Sequence, residues 1–194
     1  RSSPRLAAVQ QLAPAIDMSI SGTDLIGEAR QRLLAYGLLF ERTARAEALA
    51  RDLDAAVAAT RSAAHDKGRA LIVMANGPKI SIFGPSSRFG WLHRDLALPA
   101  ALETAASAIH GDVASFELLR KIDPDWLLVL DRGASIGEGS GRATLENDLV
   151  AQTRAGQRGQ IVYLPPGDFY LAPGGVTTTL RILTVLRTAF ASAR

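Results

Sequence analysis

The 194 residues contain no cysteine. That excludes a disulfide-stapled scaffold, a Cys-ligated zinc site and thiol catalysis. Lysine is almost missing too: 19 of the 22 basic residues are arginine, the three exceptions being Lys67, Lys79 and Lys121. No run of about 18 apolar residues occurs, so the sequence predicts no membrane-spanning helix. No charged-then-apolar leader opens the chain, so any signal peptide is expected outside it. The formal charge of +3, from 22 basic against 19 acidic residues, is small and dispersed, unlike the clustered basic charge of a nucleic-acid-binding face. What remains is a chain with 47% hydrophobic residues, enough to build one domain around a real core. Arg1 to Leu12 leads past Pro14 straight into an apolar run, as if the chain were entered in mid-domain.

Ala15–Ile20 reads as a short strand. Ser21-Gly22-Thr23-Asp24 offers a helix start, with Leu25, Ile26, Leu33 and Leu34 following at helical spacing and Gly37 interrupting near the end. Thr43–Asp66 is Ala-rich, repeats Leu49, Leu53 and Val57 every four residues, and sets Glu47 four before Arg51. This predicts a single rod of about 36 Å at 1.5 Å per residue, stopped by Lys67-Gly68. Beyond it, Ala70–Ala75 is a buried-strand run. Asn76-Gly77-Pro78 turns it into the return strand Ile80–Phe83. A short helix is expected over Arg88–Leu96, loop or weak helix over Pro99–Ala108, and a helix over Phe116–Lys121 capped by Ser115. The strand Trp126–Leu130 comes next, then a loop over Gly133–Gly141, a helix over Ala143–Thr153 and a strand over Gln160–Leu164. Pro165–Gly175 reads as loop, and Val176–Ala193 as the closing amphipathic helix. Strands alternating with helices from residue 69 onward predict a compact α/β lobe. The rod before it has the length of a connection between two bodies.

Enzyme signatures are few. The three histidines show no metal-ligand spacing, there is no P-loop, and Gly-x-Ser-x-Gly does not occur. Gly137–Gly141 is glycine-rich but does not directly follow a strand, so it reads as an ordinary loop. Polar residues at element ends are more informative. Arg88 lies in the loop after the hairpin, His110 precedes Gly111, Arg132 ends a strand run, and Tyr170 follows the last strand. In α/β sheets ligands bind outside the carboxyl ends of strands. Two permanently charged guanidinium forks with a His and a Tyr there would suit an anionic, oxygen-rich ligand. The bland alternative is surface solvation or pairing with a neighbouring acid: Asp131 adjoins Arg132, and Asp95 is near Arg88 in sequence. Trp91 and Trp126 are expected in the core.

The string Ala75–Ser81 with Phe83-Gly84-Pro85-Ser86-Ser87-Arg88-Phe89-Gly90-Trp91-Leu92-His93 resembles the C-terminal lobe of the siderophore-binding proteins of bacterial ABC importers. The likeness is to the catecholate and petrobactin-like subgroup of these helical-backbone substrate-binding proteins. It continues through His110-Gly111, Ser115-Phe116-Glu117, Asp123–Trp126, Val129–Arg132, Gly137-Glu138, Leu145–Ala151, Ile161–Leu164 and Phe169–Ala172.

The resemblance implies a two-lobed fold joined by one long helix. Residues 1–42 would be a remnant of the N-terminal lobe, 43–67 the connecting helix, and 68–194 the C-terminal α/β lobe. It also implies a periplasmic, non-enzymatic receptor with no intrinsic cofactor, which captures a ferric siderophore between the lobes and delivers it to the importer's permease. The signal peptide would lie outside this chain, and lipoprotein anchoring is compatible with it. Ligand-binding roles carry over to Arg88, Arg132, Tyr170 and His110, with His110 and Tyr170 as Fe(III) ligands. Glu117 takes the place of a carboxylate that docks on the permease; its alternative role is favourable charge at a helix start. Most of the family's N-terminal lobe has no counterpart here, so weak binding by this chain alone is expected. The helix around Leu25–Leu39 should expose apolar surface that a dimer or exchanged element would cover. Competing readings are a haem or cobalamin receptor on the same scaffold, a metal-dependent α/β enzyme lobe, and a nucleic-acid binder. The first wants a more apolar cleft, the second lacks convergent carboxylates, and the third lacks clustered basic charge.

Overall fold

The structure, a computed structural model, describes residues 6–15, 24–103, 112–136 and 141–193. Helix α1 (Leu6–Gln10) precedes α2 (Leu25–Leu39) and the rod α3 (Thr43–Ala64). Strands β1 (Ala70–Asn76) and β2 (Lys79–Phe83) form the hairpin, followed by the short α4 (Trp91–Arg94). Then come β3 (Asp112–Ala114), α5 (Phe116–Ile122), β4 (Trp126–Asp131), α6 (Arg132–Ile136), α7 (Arg142–Leu145), α8 (Asp148–Ala151) and α9 (Arg154–Gln157). The chain closes with β5 (Ile161–Tyr163), a π-helical turn at Gly167–Leu171 and α10 (Val176–Ser192).

The five strands make one sheet in the order β3-β2-β1-β4-β5. β1 pairs parallel with β4, and β4 with β5, whereas β2 runs antiparallel to β1 and to β3. Central strands covered on both faces need apolar side chains in both directions, which is why β1 and β4 read as unbroken hydrophobic runs. Ile72, Met74, Leu128, Leu130 and Phe83 pack with residues of α3 and α10 on one face; Leu71, Val73, Leu127, Val129 and Ile82 form the second cluster with Leu119, Val150 and Ala155. Trp126 is buried in the first cluster, its ring 4.8 Å from that of Phe190 and its indole N–H donating to Lys67 O at 2.9 Å.

α3 lies between α2 and α10 and packs on both. Thr60 Oγ1 donates to Ala56 O at 2.8 Å and to Leu183 O at 3.3 Å, tying the rod to α10. On the other flank the approach is very close: a Cβ at Gly37 would stand 2.4 Å from Ala46 Cβ. The rod ends at Ala64, two residues earlier than its composition suggests. Asp66 and Gly68 take left-handed backbone at φ 58° and 94°, and the Asp125 carboxylate occupies the space a Cβ on Gly68 would need.

Several expectations are corrected. The helix expected over Ala143–Thr153 is broken at Asn147, whose side chain caps the next turn by accepting from the Leu149 and Val150 amides. The loop expected from Gly133 begins inside α6, and the loop from Pro165 contains the π-helix. Arg88–Leu96 is helical only over Trp91–Arg94, and β3 lies in a segment assigned no strand. The strand expected at Ala15–Ile20 falls, beyond Ala15, outside the described residues.

Candidate functional site

Arg132 follows directly on β4, and its Nη1 donates to Asn76 Oδ1 at 2.8 Å. Asn76 ends β1, the parallel neighbour of β4, so this contact joins the carboxyl ends of the two central strands. The preceding residue, Asp131, ties down the chain on the far side of Arg132. Asp131 is 6% exposed and accepts the amides of Ala134 at 3.0 Å and Gly141 at 2.8 Å. A buried carboxylate that accepts backbone N–H groups orders the segment it bonds.

The π-helix packs against α6, and its Phe169 is 4% exposed. The Phe169 ring lies 5.1 Å from that of Phe89 and 5.9 Å from that of Trp91, while Phe89 and Phe83 meet at 4.8 Å. The Arg88 guanidinium sits 4.4 Å from the centre of the Phe89 ring. Strand ends do not explain this placement. β2 is antiparallel to β1, so its carboxyl end, beside Ile72, lies away from the end of β1 at Asn76. The aromatic chain from Phe83 through Phe89 to Phe169 is what links the Arg88 loop to the π-helix.

Arg132 and Arg88 are thus connected to one element, the π-helix that carries Tyr170. The Tyr170 side chain and the whole of His110 lie outside the described residues. Asp168, two residues before Tyr170, accepts Nε of Arg181 on α10 at 2.6 Å and also its Nη2. Those bonds hold the Asp168 carboxyl below the usual range and keep the Arg181 guanidinium protonated. Two further contacts close the carboxyl end: Arg142 lies 4.3 Å over the Tyr163 ring, and Thr144 Oγ1 donates to Gly77 O at 2.7 Å. Burial raises the Tyr163 phenol above its ordinary value.

Sequence reading missed Asn76, seen only as a turn residue, and the Asp168–Arg181 pair, whose thirteen-residue spacing belongs to no local pattern. It named Asp95 as a neighbour of Arg88; Asp95 pairs with Arg94 at 3.2 Å.

Glu117 stands apart from this cluster, exposed in the first turn of α5. Its own backbone amide and the Ser115 hydroxyl hold its carboxyl below the usual range. It lines an open groove of about 440 Å³ with Arg120, Lys121, Gln152, Arg154 and Gln157. Asp123 lines the groove as well, and Arg154 bonds its carboxylate at 2.9 Å and that of Asp125 at 2.9 Å. Among the described residues no group of three or more His, Asp or Glu could hold a metal ion, and no helix is long and apolar enough to cross a membrane.

This architecture is shared with known proteins. The petrobactin-binding protein YclQ of Bacillus subtilis is 29% identical over 185 residues, covering 94% of this chain and 58% of the relative. Its crystal structure superposes with a TM-score of 0.90 at 27% identity, over 96% of this chain and 66% of the other. The ferric-anguibactin-binding protein FatB of Vibrio anguillarum is 28% identical over 179 residues, 88% of this chain and 55% of its own length. The periplasmic catecholate-siderophore binding protein VctP of Vibrio cholerae superposes with a TM-score of 0.87 at 29% identity, over 95% of this chain and 67% of the other. The chain spans little more than half the length of the two curated relatives. Residues 5–167 match the periplasmic binding protein family, and the chain belongs to that family.

Proposed function

We propose that this chain forms one side of a non-enzymatic periplasmic receptor for an anionic ferric siderophore of catecholate type, which it passes to an ABC importer. Residues 68–194 are the ligand-facing lobe, 43–67 the connecting helix, and 1–42 part of the opposite lobe. The observation that carries the reading is the convergence of α6, which begins at Arg132, and the Arg88 loop on the π-helix bearing Tyr170, in a chain whose relatives are named for binding petrobactin, ferric anguibactin and a catecholate siderophore. Catecholate oxygens on Fe(III) make a net negative complex, which guanidinium groups attract without ever deprotonating. A phenolate at Tyr170 and an imidazole at His110 complete the iron shell where the siderophore leaves it open.

Fluorescence titration with a panel of ferric catecholates, citrate-hydroxamates and hydroxamates tests the specificity. Saturable quenching by the catecholates is expected, weaker in this chain than in a full-length relative. Preference for a hydroxamate, or no saturation by any ferric catecholate, overturns the reading. Glu117 is the proposed docking carboxylate for a permease guanidinium. Reversing its charge should abolish uptake with ligand binding intact. The apolar end of α2 is the surface on which a second copy or an exchanged element would pair.

A further inference from the structure

The π-helix is a single widened turn between Pro165-Pro166 and Pro173-Gly174-Gly175, with no regular helix continuing it on either side. Its wide turn is closed by Ala172 N donating to Gly167 O at 3.2 Å. So short a π-helical turn does not hold its own position, and such turns recur at functional sites. Two residues before Tyr170, Asp168 takes both bonds of the Arg181 fork; one residue before it, Phe169 inserts among Phe89 and Trp91. Thr178 Oγ1 adds bonds to Ala172 O at 2.9 Å and Gly175 O at 2.6 Å, fixing the exit from the turn to the start of α10. The same turn packs on α6, which begins at Arg132.

We infer that the Asp168–Arg181 pair is the positioning clamp of the binding site, setting the π-helix against α10 and with it Tyr170, the α6 segment of Arg132 and the aromatic chain under Arg88. This rests on the ferric-siderophore reading above. A clamp is distinguishable from a structural salt bridge. The Arg181 side chain is 54% exposed, and an ion pair of that kind contributes little to global stability. A two-pronged carboxylate–guanidinium contact nonetheless fixes orientation tightly.

The test uses the full chain and the ferric complex of two 2,3-dihydroxybenzoate molecules as probe. Affinity is read by tryptophan fluorescence, and the change in the probe's catecholate-to-Fe(III) charge-transfer absorption on binding, as the Tyr170 phenolate joins the iron shell, is read alongside. Arg181→Gln and Asp168→Asn should each weaken binding about tenfold, the loss typical when a partner that orients a metal ligand is removed. That spectral change should shrink in parallel, and the thermal midpoint should stay within a few degrees. The double variant should bind no worse than either single one, because both remove the same contact. Arg181→Lys, which keeps the charge but not the fork, should fall between and serves if a neutral variant folds poorly. Wild-type affinity in the single variants, or losses that add in the double, overturns the clamp. Tyr170→Phe separates the two ideas. If it removes the spectral change on binding while the clamp variants behave as wild type, the siderophore reading stands and the clamp falls. A wild-type chain that takes up none of the probe overturns both.

Discussion

The rod α3 is flanked by two helices of similar length that meet opposite fates. α10 turns Thr179, Ile182, Leu183, Leu186 and Phe190 inward, all buried against α3 and the sheet. α2 buries Leu25, Ala29 and Gly37, but Leu38, Leu39 and Phe40 at its end are 76%, 61% and 65% exposed. The hydrophobic stripe of α10 is matched by the sheet face beneath it. At the end of α2 three successive apolar residues point around the helix, more than the single strip α3 can cover, so Leu38, Leu39 and Phe40 stay in solvent. Amphipathic pattern alone therefore does not tell a finished helix from one awaiting a partner.

The largest expected effect on this contrast comes from the α10 side. Phe190→Ala removes the ring against Trp126 and should cost about 3–5 kcal/mol, read as a lower midpoint in urea unfolding; a loss no larger than that of a surface substitution would break the comparison. Gly37→Val comes next. With Ala46 Cβ only 2.4 Å from the added Cβ, α2 must lift off α3, at about 1–3 kcal/mol. Faster hydrogen exchange in α2 than in α10 would locate the damage.

A smaller and opposite effect is expected at Asp95. Burial raises its pKa above 3.8, and the Asp24 carboxylate that caps α2 pushes the same way against Arg94 and Arg61. A raised acid favours the fold below its unfolded pKa, and that advantage is lost as pH rises through the folded value. Asp95→Asn should therefore stabilise the protein at pH 7, by less than about 1 kcal/mol given partial screening, and the gain should shrink in acid. Least of all, Leu38→Ser with Phe40→Ser should move stability by no more than about 0.5 kcal/mol. Light scattering should then show less self-association than in the wild type; an equal drop in stability and no change in association would erase the contrast with α10.

Most of the fold could be read from the residues because its signals are local. The apolar runs at Ala70 and Trp126, the Asn76-Gly77 turn, the Ser115 cap and the stripe of Val176–Ala193 each declare themselves within one element. The failures have a common physical origin. Asn147 competes with the helix it sits in by bonding the amides ahead of it, a choice that propensity over Ala143–Thr153 does not reveal. β3 spans only three residues, and the π-helix has no sequence period. At the candidate site, the strand-end argument points to Arg132. Arg88 was named too, but the strand-end argument does not place it, since β2 runs the other way. Asn76 and Arg181 escaped notice because their partners lie 56 and 13 residues away.

The rod has one more consequence, a mechanical one. Its 22 residues make a stiff arm about 33 Å long, gripped near one end by Thr60 on Leu183 O and by Arg61, whose Nε and Nη2 donate to Asp95 O at 3.0 and 2.6 Å. A pivot of about 5° at that grip would carry Ala46, about 21 Å along the rod where it meets Gly37, through about 2 Å. Such gearing means that tilts too slight to disturb the grip arrive at the apolar tip of α2 as displacements about the radius of an atom.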